Sequence, residues 1–208
     1  MTAENKTVHL AQKVPFYSQR LDESNYKDEG FTNIAKARFW SSRVCGLACV
    51  KMAIDTFQHK NISLAELLTE GLEMRAYNER SGWYHQGLVN LVKLYGLHAR
   101  RESVWQNVDK IGQYIESNEL VIASVTVGFE AGKVYKSKRG NHTMPRGGHL
   151  VVIFGAEMDN KDRVKHLILH HPSSWKSYEF KSLNISRNEF LHSFSLLGNI
   201  IRISKHQL

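Results

Sequence analysis

The spacing of apolar residues changes period partway along this chain. In the first half it is helical. From Val44 to Phe57, apolar or small residues (Val44, Leu47, Ala48, Val50, Met52, Ala53, Ile54, Phe57) fall on nearly every side, which predicts a buried helix running to about His59. Ser41 or Ser42 is its expected cap. A second helix is expected from Ser63, with Glu66 completing a capping box, to about Tyr77. In a third, from about Tyr84 to Tyr95, Leu88, Leu91, Val92 and Tyr95 recur at i, i+3, i+4 and i+7, and Gly96 supplies the stop. A fourth covers about Val108 to Ser117, with Asn107 as cap.

Beyond Ser117 the signal becomes that of strands. Leu120–Val127, His149–Glu157, Arg163–His170 and Asn199–Ser204 are rich in Val and Ile, and Met158–Asp162 reads as a turn. Ser186 and Glu189 form another capping box, opening a short helix to Phe194. Pro15 makes Val14–Gln19 a short extended segment. Asp22–Arg38 is polar and poorly patterned, a surface loop with some helix, and residues 1–13 read as a loose tail. Helices first and strands later indicate an α+β fold. With no repeat, low-complexity stretch or linker, residues 1–208 are expected to form a single domain.

Composition narrows the class. Hydrophobic content of 42% and charged content of 23% fit a globular chain rather than a disordered one. No apolar run approaches the roughly 18 residues of a membrane span. The N-terminus lacks a secretory signal, which points to the cytoplasm. The four Asn-x-Ser/Thr tripeptides, at Asn5, Asn61, Asn141 and Asn184, therefore carry no weight. Cys45 and Cys49 lie one helical turn apart, too poorly placed for a disulfide, and lack the spacing of a zinc site. No metal or other cofactor is expected.

The net charge of +8 is spread along the chain except at Lys133, Lys136, Lys138, Arg139 and Arg146, without the aromatic-basic pattern of a nucleic-acid binder. The long segment Phe129–Gly148 around that patch reads as a basic loop that borders a cleft and favours acidic substrates, or as a solvated loop. The chain has no transporter segment or ATP-binding motif, so a stand-alone role is expected.

Two residues suggest chemistry. Cys45 follows Ser41, Ser42 and Arg43 at the mouth of the first predicted helix, where the N-terminal amides favour a thiolate. Gly46 would let substrate approach the backbone there, and the Cys45 N–H would suit an oxyanion. Cys45 is thus either a nucleophile or a small buried hydrophobe, the latter role being better suited to Cys49. Among eleven histidines, His149 is the best-placed base: it follows Gly147 and Gly148 and heads a core-like strand. A surface histidine at a strand end would have the same neighbours.

Four blocks decide between these readings. Val14–Gln19, Cys45–Met52, Gly82–Val89 and Gly148–Gly155 together resemble the papain-like cysteine peptidases related to bacteriocin leader peptidases, enzymes that cut after a double glycine, usually as a domain of an export transporter. The resemblance covers about Val14 to Trp175. It implies N-terminal helices with a buried nucleophile helix on a mainly antiparallel sheet, Cys45 as nucleophile, His149 as base and Gln19 as an oxyanion donor. It also implies an Asp or Asn before a proline at the end of the strand after His149.

Here that position is His171, before Pro172. A neutral imidazole can accept a hydrogen bond from His149 but stabilises imidazolium less than a carboxylate. His171 is thus a weaker orienter or the mark of weakened activity; Asp159 and Asp162 sit on a turn at the opposite strand ends. His142, His166, His170 and His171 do not form a metal site, because His166 and His170 lie about 13 Å apart along a strand. Trp83 and His85 are expected on a cleft wall, with Gly148.

These residues predict a cysteine peptidase acting on a peptide or amide bond through an acyl-enzyme, with peptide maturation as one setting. The alternatives are an acyltransferase on the same Cys–His pair, or a peptide-binding domain. Neither nucleic acid nor a membrane is an expected partner, and the sequence leaves oligomeric state open.

Overall fold

The computed structural model describes residues 5–137 and 140–206. It opens with strand β1 (Lys6–His9), then helices α1 (Ile34–Ser41), α2 (Cys45–Gln58) and α3 (Leu64–Glu73). A minimal hairpin, β2 (Tyr77–Asn78) and β3 (Gly82–Trp83), precedes α4 (His85–Leu94), β4 (His98–Ser103), α5 (Asp109–Glu116) and β5 (Leu120–Val125). A second hairpin, β6 (Val134–Ser137) and β7 (Gly140–Thr143), leads to β8 (His149–Met158) and β9 (Val164–His171). The chain closes with β10 (Phe180–Ser186), α6 (Arg187–Ser193) and β11 (Asn199–Ser204). Mixed α+β architecture is what the periodicity predicts, and a mainly antiparallel sheet is what the resemblance implies.

The seven-stranded sheet runs β10-β9-β8-β5-β11-β4, and β1 pairs with the far half of β8. Every one of these pairings is antiparallel. β8 is central: its first half pairs with β5, from Val125↔His149 to Val121↔Ile153, and β9 flanks its other side. All of β5 and most of β8 are buried, as expected for strands covered on both faces. α2 packs on β8 and on α3 and α4, and almost all of its residues are buried. The start of β8, the end of β5 and the end of β9 therefore meet at one edge of the sheet, beside the N-terminus of α2.

Several boundaries differ from expectation. Ser41 and Ser42 close α1, and Val44 is the N-cap of α2 with no side-chain hydrogen bond, so the first amides of α2 stay uncapped. Ser63 accepts from the Glu66 N–H, but the reciprocal half of that box is not made. Its helix stops at Glu73, before the β2–β3 hairpin. Val108, not Asn107, is the N-cap of α5. Lys6–His9 is an edge strand rather than a loose tail, while residues 1–4 lie outside the described part. The basic segment before His149 folds into the β6–β7 hairpin; Lys138 and Arg139 lie outside the described residues.

Candidate active site

Cys45 is the first residue of α2 and half-buried. The backbone amides of Leu150, Gly46 and Cys45 itself favour its thiolate form. Burial pushes the thiol up from its ordinary range, and these amides pull the other way. Leu150 directly follows His149, so one strand supplies both a donor to the sulfur and the nearby imidazole. The Gly147–Gly148 approach to that strand is pinned by Gly147 N–H donating to the Ser193 carbonyl at 3.1 Å and Gly148 N–H to Ser124 Oγ at 3.1 Å. Gly148 has φ of +90° and open space where a side chain would project, so bare backbone lines the cleft.

Gly46 serves a different purpose from the one expected. A Cβ there would lie 3.0 Å from Leu88 and 3.2 Å from Leu150, both interior side chains. Its missing side chain brings α2 close to α4 and β8 instead of opening a path for substrate.

His149 is 7% exposed. Burial lowers its pKa well below the usual histidine value, His171 beside it adds to this, and the Pro172 carbonyl opposes both. Both shifts favour the uncharged forms, thiol and neutral imidazole, over an ion pair.

Gln19 is buried, and its Nε2 donates to the Ser41 carbonyl at 2.9 Å. Leu21 N–H donates to Ser41 Oγ at 3.0 Å, so the end of α1 clamps the Gln19 segment on both sides of Arg20. The cleft has two halves that meet at Ser42 and Gly148. Cys45 lines one of about 400 Å³, with Tyr77, Glu79, Ser81, Trp83 and His85. His149 and Gln19 line the other, of about 390 Å³, with Val127, Met144, Pro145, Ser173 and Trp175.

The sequence profile of the Peptidase_C39 like family matches residues 11–200. The chain belongs to that family. Solved structures agree on the fold: a C39-like peptidase from Bacillus anthracis superimposes with TM-score 0.60 at 16% identity, over 98% of this chain and 100% of that one. The peptidase domain of Streptococcus ComA, a bifunctional ABC transporter involved in a quorum-sensing pathway, gives 0.50 at 19%, over 79% and 93%. UfSP from C. elegans gives 0.53 at 9%, over 98% of this chain and 34% of that one. No curated protein sequence matches significantly.

In this C39-like chain the residue expected to orient His149 behaves differently. His171 ends β9, fully buried, and its ring stacks on His149 with centroids 4.3 Å apart and planes at 24°. Its Nε2 accepts the Gly128 N–H at 3.1 Å, which puts the ring proton on Nδ1. Face-to-face rings cannot share an in-plane hydrogen bond, so the expected bond from His149 to His171 is not made. His149 Nε2 and His171 Nδ1 are both buried without a hydrogen-bond partner among the described residues. Phe129 and Phe180 enclose the ring at 5.5 and 5.7 Å, and burial lowers the His171 pKa to about 4.

The other singled-out residues disperse. His170 is structural: Nδ1 accepts the Ser182 N–H at 3.0 Å, which leaves Nε2–H to donate to the Val14 carbonyl at 3.1 Å. His166 lies beside Glu157 and His142 is exposed on β7. Among the described residues, no three His, Cys, Asp or Glu side chains are placed to hold a metal ion. Asp159 organises its own turn, accepting from Lys161 N–H, Arg163 N–H and Arg163 Nε. Trp83 lines the cleft edge-on and donates from Nε1 to the Arg43 carbonyl at 2.7 Å, holding the approach to Cys45. His85 begins α4, and burial lowers its pKa.

Within the basic patch, Lys133 pairs with Glu130, and Arg146 donates to Gln106 and to the Phe194 carbonyl. Its segment borders the cleft, to which it contributes Met144 and Pro145. Sequence reasoning missed Val127, Met144 and Trp175, which share no motif; the only hint was a tryptophan four residues after His171. No helix among the described residues is long and apolar enough to cross a membrane.

Proposed function

We propose that this chain is a cysteine peptidase acting on a peptide, with Cys45 as nucleophile and His149 as proton carrier, its residues forming one catalytic domain. The observation that carries the reading is that Cys45, at the start of α2, and His149, at the start of β8, line the two adjoining halves of one cleft, which meet at Ser42 and Gly148. His149 accepts the thiol proton as sulfur attacks the scissile carbonyl. The oxyanion forms opposite the Cys45 N–H and the Gln19 amide. Collapse breaks the C–N bond, and His149 returns the proton to the leaving amine. Water, activated by the same imidazole, then cleaves the thioester and regenerates the thiol. An amine replacing water would make the chain an acyltransferase by the same steps. The transporter domain of similar fold favours peptide maturation as the setting, and two free thiols suit the reducing cytoplasm.

The rival reading is a peptide-binding domain of weakened activity. It is favoured by the buried His149 Nε2, which has no side-chain acceptor to stabilise an imidazolium. Site-mapped iodoacetamide alkylation, followed across pH in the wild type and His149→Ala, separates the two. A catalytic pair predicts Cys45 alkylation about tenfold or more faster in the wild type near pH 8. Equal rates at every pH would leave only the binding domain.

A further inference from the structure

Acyl-enzyme chemistry assigns a different part of the substrate to each half of the cleft; this step rests on the peptidase reading. The acyl portion stays bonded to Cys45 and so occupies the half that Cys45 lines. The leaving amine must reach His149 to collect its proton, and so occupies the half that His149 lines. The acyl side is polar, with Tyr77, Glu79, Ser81 and His85. The leaving side presents Val127, Met144, Pro145 and the indole of Trp175.

We propose that Trp175, flanked by Val127 and Met144, selects a large apolar or aromatic side chain on the residue immediately after the scissile bond. Trp175 is 58% exposed, and among the described residues its indole N–H has no hydrogen-bond partner. It is nevertheless held in place. The indole stacks on Tyr178 with centroids 5.7 Å apart and planes at 25°, and Tyr178 donates its hydroxyl to Glu130 at 2.7 Å. The Tyr178 ring lies so close over Gly128 that a Cβ there would come within 2.7 Å of it. The Gly128 N–H in turn bonds His171, which stacks on His149. A fixed aromatic surface left open to solvent, continuous with the proton carrier, suits an apolar side chain better than water.

The test reads this surface without knowing the natural substrate. The full chain is acetylated with p-nitrophenyl acetate, and the acetyl-enzyme is divided between water and an added amino-acid amide. The amine nitrogen attacks the thioester carbonyl, the C–N bond forms as C–S breaks, and the amine proton returns to sulfur through His149. Phenylalanine amide should capture acetyl about tenfold or more better than glycine amide. The ratio comes from one acyl-enzyme, so it does not depend on how fast that enzyme forms. Trp175→Phe should keep most of the preference, and Trp175→Ala should bring the ratio close to unity. Equal capture in the wild type, or a preference that survives in Trp175→Ala, overturns the inference while leaving the peptidase reading intact. If wild-type chain neither carries an acetyl group on Cys45 nor releases p-nitrophenolate faster than Cys45→Ala, the peptidase reading falls and this inference with it.

Discussion

Single side chains decide how this site handles protons. His171 occupies the position where an acid or amide would accept from His149, yet it lies flat against that ring and spends its Nε2 on Gly128. Replacing it by Asn removes a titratable neighbour and offers an amide oxygen. The His149 pKa should then rise; following its ring protons by NMR across pH would show this, and an unmoved midpoint would mean that burial alone sets it. Gln19 makes a second residue-level case. If its amide meets the oxyanion, Gln19→Ala should lower kcat by about 10²–10³ while changing KM little. A change confined to KM would reduce Gln19 to a substrate contact. Cys45 and His149 could be singled out in the sequence because each adjoins a local signal, a predicted helix mouth and a glycine pair. The stacking role of His171 could not, because ring orientation depends on Phe129 and Phe180, distant in sequence from it or contributed by other elements.

Elements were legible where burial imposed a period. α2, α4, β5, β8, β9 and β11 follow apolar patterns that only buried helices or strands produce. β4 was missed because His98–Ser103 is mostly polar, and it survives as an edge strand on the register it shares with β11. α1 was blurred into a loop because its apolar residues do not form one stripe. β10, likewise at an edge, carries an irregular register between Phe180 and Leu183. Packing of α4 against the segment that follows α3 gives a prediction of its own. A Cβ on Gly87 would fall 2.4 Å from the Ala76 Cβ and 2.7 Å from its Cα. Backbone cannot yield as a flexible side chain does, so Gly87→Ala should cost about 1–3 kcal/mol in urea unfolding. An unchanged midpoint would show that α4 can move away freely.

For the whole molecule, acid is the revealing stress. His149, His170 and His171 are all buried with pKa values below the unfolded value of about 6.5, His171 at about 4. The unfolded chain binds protons that the folded chain refuses. Their contribution to stability is therefore complete above about pH 6.5 and is lost as pH falls toward the folded values, by roughly 1.4 kcal/mol per pH unit for each histidine. Denaturant midpoints should drop steeply between about pH 6.5 and 5, with a shallower slope in His171→Asn. A flat profile would mean that these rings take up protons without unfolding. Gln19, Trp83, His85 and Gly148 were legible at the cleft from the sequence, but its division into two halves was not, since Tyr77, Val127 and Trp175 join its walls only through topology.

The His170 tether has a consequence for the order of events. This side chain ties the segment leading to Gln19 to β9 and β10, so a part synthesised near the start gains its anchor only when residues beyond 180 are in place. α2 forms from neighbours, whereas the cleft beside it closes across most of the chain. During refolding, helical circular dichroism should therefore return well before the pH-dependent reactivity of Cys45, and a nascent chain would carry its thiol for some time before it could cut anything.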